Sequence, residues 1–157
     1  MTKIVVEEIV AAPLDQVWQT WDDFGVIARF APNLKRSFLV EGSAKTGLGA
    51  KRHCDLADGK NFLKEEIIEY IPGERLVIDI YDGSMPMESG TAAFDLEALD
   101  SGHTKVTMTM DFVPKFGVAD KVMMGALKPK FRGLLQSMLK GNADYIEHGK
   151  IANPEMA

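Results

Sequence analysis

The sequence predicts an α+β fold in which a curved antiparallel sheet of about seven strands wraps around one long C-terminal helix, with two short helices after the first strand. Three observations carry this expectation. The chain opens on a β-branched-rich run, KIVVEEIVA at residues 3–11, followed by two short helical stretches. Further strand-like runs then follow one another across short turn signals, the pattern of an antiparallel meander. Residues 118–148 finally carry apolar side chains at helical spacing.

Each element has its own signal. Pro13 sits where a helix begins, and Leu14, Val17, Trp18 and Trp21 then recur at helical spacing over residues 14–24. Gly25 breaks that helix, and a second one over 26–30 ends before Pro32. Residues 34–41 read as a strand and 42–49 as a loop. Pro72-Gly73 marks a turn before a strand at 75–81, in which Leu76, Ile78 and Ile80 share a face. Residues 82–88 read as a loop, and 91–99 and 105–113 as the last two strands. On the last strand Val106, Met108, Met110 and Phe112 share one face. In the final helix Leu127, Phe131, Leu134, Leu135, Met138, Asn142 and Tyr145 trace one stripe. Gly149 suits a C-terminal cap, and Pro129 is expected to kink the helix or bound a looser first part.

The 157 residues fit one domain, residues 1–149, with a flexible tail at 150–157. A net charge of −5 with scattered basic residues argues against a nucleic-acid partner. Cys54 is the single cysteine, which excludes an internal disulfide and a cysteine-rich zinc site. The opening MTKIVVEEIVAAP has no apolar run suited to a signal peptide or membrane span, so the expected location is the cytoplasm. No phosphate-loop glycine pattern is present, and no histidine has metal-ligand spacing to a carboxylate; no metal or other cofactor is expected. Exposed edge strands leave monomer and homodimer both open.

One hairpin concentrates the chemistry. Asp58-Gly59 suits a two-residue type I′ turn, which makes Ala57 face Lys60 and, counting outward, Arg52 face Glu65. The same face carries Ala50, Cys54, Leu56, Leu63 and Ile67, whereas Lys51, His53, Asp55, Phe62, Lys64 and Glu66 point the other way. An ion pair on an otherwise apolar face is costly to bury unless its members satisfy one another.

The order and spacing of AAPLDQVW, Phe30-Ala31-Pro32, Gly49…Arg52, and Glu65-x-Ile67 before Pro72 and Leu76 resemble the START-like, Bet v 1-like helix-grip superfamily (SRPBCC). That group includes bacterial polyketide cyclase/dehydrase and lipid-transport proteins. The resemblance spans nearly the whole chain and implies an internal cavity between sheet and C-terminal helix. Asp23-Phe24, Phe30-Ala31-Pro32, Gly49-x-x-Arg52 and Glu65 are also similar to the plant lachrymatory-factor synthases, although the hairpin loop here is shorter. By that resemblance Arg52 and Glu65 fall on the implicated catalytic positions.

The expected function is therefore binding of a small hydrophobic or amphipathic molecule, lipid- or polyketide-like, with no metal or other cofactor. From the helices and the hairpin the expected lining is Phe30, Cys54, Leu63 and Ile67. The later strands contribute Ile78, Ile80, Phe94, Met108 and Met110, and the last helix Leu127, Phe131, Leu134 and Met138. The alternative is a cyclase, dehydratase or isomerase acting on a carbonyl compound. Glu65 then moves a proton and Arg52 stabilises an oxyanion. A structural salt bridge accounts for the same pair equally well. Cys54 is either a thiol activated by Arg52 or a small buried apolar group. A third reading is a protein-interaction module with a filled interior, in which Met85 and Met87 at a loop tip form a contact or a pocket gate.

Overall fold

Alternation sets the inner face of strand β1 (Thr2–Val10), where Ile4, Val6 and Val10 are buried between exposed neighbours. The computed structural model describes residues 2–115 and 120–156, and the remaining elements follow in the expected order. They are helix α1 (Leu14–Asp22), a 3₁₀ turn (Phe24–Arg29), and strands β2 (Leu34–Leu39), β3 (Lys51–Leu56) and β4 (Phe62–Ile71). Strands β5 (Arg75–Gly83), β6 (Met87–Asp100) and β7 (His103–Pro114), helix α2 (Asp120–His148) and a last 3₁₀ turn (Pro154–Met156) complete the chain. The strands form one curled antiparallel sheet in the order β1-β7-β6-β5-β4-β3-β2. Register shifts interrupt the ladders of β4 and β6, the kind of irregularity that bends a strand locally.

Several boundaries differ from expectation. α1 stops at Asp22, and the second helical stretch is a 3₁₀ turn interrupted at Val26, whose φ of −114° is not helical. β2 ends at Leu39 rather than at residue 41. The loop expected at 82–88 is shorter because Gly83 still pairs with Leu63, and Met87 already pairs with Pro114. The long neighbouring strands extend both partners by hydrogen bonding that short-range signals do not carry. Val118, the expected start of the last helix, lies outside the described residues. α2 runs through Pro129, which has no N–H to offer the carbonyl of Gly125. Gly149 ends it as expected, with a φ of 67° and its N–H on the carbonyl of Tyr145.

The β3–β4 hairpin keeps its expected register through a different turn. A type I′ turn requires positive φ at both central residues, and Asp58 does not have it. Gly59 alone is left-handed, at 72°, and donates its N–H to Leu56 O. The Asp58 carboxylate accepts the N–H groups of Lys60 and Asn61. Leu56 N–H still meets Asn61 O, so the loop widens symmetrically and Arg52 stays opposite Glu65.

Helix α2 lies along the β1 edge of the sheet. Arg132 Nη1 donates to Val5 O at 2.8 Å and Gln136 Nε2 to Glu7 O at 2.9 Å, satisfying carbonyls that an edge strand leaves unpaired. Farther along, Gly141 lets the helix approach Phe30 O so closely that a Cβ would collide with it. The residues after Gly149, expected as a loose tail, are hydrogen-bonded to the body. Asn153 Nδ2 donates to Ala28 O and Leu34 O, and Arg29 Nε to Met156 O.

Candidate functional site

With α2 anchored at β1, space remains between its middle and the far side of the sheet. A cavity of about 610 Å³ opens there, within the ~300–1,000 Å³ typical of small-molecule sites. Leu56 and Leu63 of the hairpin, Met85 of the β5–β6 connection, Met87 at the start of β6, and Met110 and Phe112 of β7 form its sheet side. Phe131, Leu134 and Leu135 of α2 face them. Leu134 is 40% exposed, which puts it at an open rim rather than in the interior. The polar residues on the wall are Asn33, Asp58, Lys130 and Ser137.

Of the expected lining, Leu63, Met110, Phe131 and Leu134 meet at this cavity. Phe30 borders a smaller adjoining hollow with Pro32 and Gly141, and Ile80 a shallow groove beside Met85 and Met87. Cys54, Ile67, Ile78, Phe94, Met108, Leu127 and Met138 belong to the packed core instead. Phe94 is covered by Trp21, whose ring lies 4.6 Å from it and 5.1 Å from Phe30. Helical and strand periodicity show which face points inward; they do not show which inward residues another side chain covers. Pro32, Asn33, Leu56, Leu135 and Lys130 were not anticipated as lining. Met85 and Met87 carried a signal, two methionines at a loop tip, and they do border the opening.

Arg52 and Glu65 sit deeper. Arg52 Nε donates to Glu65 Oε2 at 2.6 Å and its Nη1 to Phe24 O at 3.1 Å, with the guanidinium over the Phe24 ring. They are only 3% and 7% exposed, so each is costly to bury without the other. Neither lines the cavity: Glu65 lies two residues inward from Leu63 on the same strand face, about 7 Å along the chain. Cys54 is buried beside them, its Sγ 4.0 Å from Glu65 Oε2. Burial, and next the Glu65 charge, push its thiol pKa well up, despite the opposing pull of Arg52. Cys54 is therefore a small buried apolar group and not an activated nucleophile.

The outer face of the hairpin holds pairs that sequence spacing did not suggest. His53 Nε2 lies 2.8 Å from Asp55 Oδ1, and its ring stacks between Phe38 and Phe62. His103 likewise meets Asp100, at 2.9 Å in an exposed turn. His53 and Asp55 are two apart on one strand, hence on one side of it.

A curled sheet gripping a long helix over an apolar cavity defines a helix-grip protein. Residues 1–147 match the family described as polyketide cyclase/dehydrase and lipid transport, and the chain belongs to that family. No curated protein sequence matches it. Among solved structures it is similar to the ZhuI aromatase/cyclase from Streptomyces sp. R1128, at 16% identity and a TM-score of 0.77 over 93% of each chain. A truncated norcoclaurine synthase from Thalictrum flavum is 14% identical, with a TM-score of 0.70 over 95% of each chain. A protein from Thermobifida fusca is 25% identical, with a TM-score of 0.68 over 94% of this chain and 97% of that one. At such identities the two enzymes speak to the fold. Among the described residues no helix is long and apolar enough to cross a membrane.

Proposed function

We propose that this protein binds a small hydrophobic or amphipathic molecule in the cavity between α2 and the β3–β4 tip. The observation that supports the reading is the cavity itself. Its wall is mostly leucine, methionine and phenylalanine, with few polar groups, as ligand sites generally are. Methionines at 85, 87 and 110 suit a ligand of variable shape, because the side chain is flexible and polarizable. Family membership agrees with this role. The test is titration with the fluorescent dye 1-anilinonaphthalene-8-sulfonate. Met110→Trp, which fills the cavity, is expected to weaken binding about tenfold. Unchanged binding in both Met110→Trp and Phe131→Trp would sink the proposal.

A second reading is cofactor-independent cyclisation, dehydration or isomerisation, with Glu65 as acid or base and Arg52 stabilising an oxyanion. What favours it is one buried carboxylate–guanidinium pair just inward of the cavity. Its discriminating test is Glu65→Gln, screened for turnover on carbonyl substrates. Lost turnover with retained ligand affinity supports catalysis; full turnover removes Glu65 as the proton carrier.

A further inference from the structure

The large cavity has a neighbour of different chemistry. Pro32 and Ser137 line both it and the smaller hollow of about 250 Å³, so the two spaces meet there. Helix α2 runs past both. Lys130, Leu134, Ser137, Gly141 and Asp144 recur three or four residues apart, which puts them on one side of the helix. The first three border the cavity and the last three the hollow. The stripe spans about 20 Å at 1.5 Å per residue.

The cavity end is walled mainly by leucine, methionine and phenylalanine. The hollow instead brings Lys140 of α2 together with Lys150, just past the end of the helix, and holds one carboxylate, Asp144. Two cations against one anion leave it net positive. Among the described residues neither lysine takes part in an ion pair. The helix adds to this field. Lys121, Lys128, Lys130, Arg132 and Lys140 fall between residues 121 and 143 with no acidic residue among them, in a chain whose net charge is −5. Asp58, the one carboxylate on the cavity wall, lies on the hairpin tip and already accepts from Lys60 N, Asn61 N and Asn61 Nδ2. We infer that the ligand is an anionic amphiphile that occupies both spaces, its apolar body in the cavity and its acidic head group between Lys140 and Lys150. The inference rests on the binding role proposed above. It adds the charge of the ligand and the place of its head.

Calorimetric titration of the full chain at pH 7 with decanoate and with decylammonium tests it. The two share a chain length, and at this pH each is fully charged, with opposite sign. The expected result is decanoate binding about tenfold tighter, the size of a few partly solvated charge contacts. Replacing both lysines, Lys140→Met with Lys150→Met, should bring the two within about twofold. Both side chains are exposed, so the variant should fold. Lys130→Met removes the same kind of charge at the cavity end and should keep most of the preference. Equal affinities in the unmodified protein, or a preference that survives the double replacement, overturn the anionic-head inference and leave the binding role standing. A preference lost in Lys130→Met and kept in the double variant overturns the placement of the head. Binding of neither compound counts against both readings.

Discussion

Arg52 Nε lies 2.6 Å from Glu65 Oε2 while its guanidinium carbon sits 4.0 Å from the centre of the Phe24 ring. The pair thus joins the hairpin to the 3₁₀ turn after α1, and each charge depends on the other in a dry setting. Arg52→Met is expected to cost about 3–5 kcal/mol, because it strands a buried carboxylate. Arg52→Met with Glu65→Leu should recover most of that loss. Urea unfolding of both variants checks it; a single-variant loss below about 1 kcal/mol contradicts the burial argument.

Cys54 gives a chemical test of the same region. With its pKa raised chiefly by burial, the thiol should resist iodoacetamide at pH 8 in the native protein and react readily in urea. The raised value also fixes the sign of its linkage to stability. The contribution is fully present below the ordinary thiol value of about 8.5 and is lost as pH rises toward the folded value. Rapid native labelling would contradict this placement.

Gly141 sets the distance between α2 and the Phe30–Pro32 turn. A methyl group there meets backbone oxygen, which cannot swing aside as a side-chain end can. Gly141→Ala should therefore lose about 1–3 kcal/mol in denaturant melts. Gly133→Ala, where a Cβ meets nothing, should be stable or slightly stabilised through better helix propensity. Similar losses at both positions would refute the close approach.

Asp55 predicts an acid-side effect. The hydrogen bond from His53, and then that from Arg36, hold its carboxyl below the ordinary carboxylate value. A depressed folded value stabilises above the unfolded pKa of about 3.9, and the contribution disappears as pH falls through the folded value. On this partly solvated face it should stay under about 1 kcal/mol. Asp55→Asn should flatten the pH dependence of stability below about pH 4, measured by urea unfolding across that range. An identical profile would show the pair to be energetically silent.

Truncation after Gly149 tests the tail. It removes the Asn153 amide from the carbonyls of Ala28 and Leu34, at 2.6 and 2.8 Å. Those carbonyls border the 3₁₀ turn, so a loss of about 1–3 kcal/mol is expected, and Asn153→Ala should reproduce much of it. A truncated chain with full stability would mean the contacts carry no weight.

Much of the architecture was legible because local chemistry encodes it. β-branched alternation marked the strands, Pro13 and Gly149 bracketed helices, and Asp58-Gly59 placed a turn whose symmetry, rather than type, aligned Arg52 with Glu65. The inward face of each element followed from periods of 2 and 3.6 residues. What periodicity cannot contain is which inward side chains meet one another. Trp21 wedged against Phe30 and Phe94 is a contact between α1 and β6, and it turns Phe94 from expected cavity wall into core. Asn33 borders the cavity beside Ala57, a residue far along the chain whose N–H its carbonyl accepts. The sequence by itself determined the element order and the register that sets Arg52 opposite Glu65, since both follow from local turn and alternation signals. The tertiary structure alone decided where the empty space lies. That space is set by how closely α2 approaches β1 and Phe30, a balance of long-range packing that no short stretch of residues records.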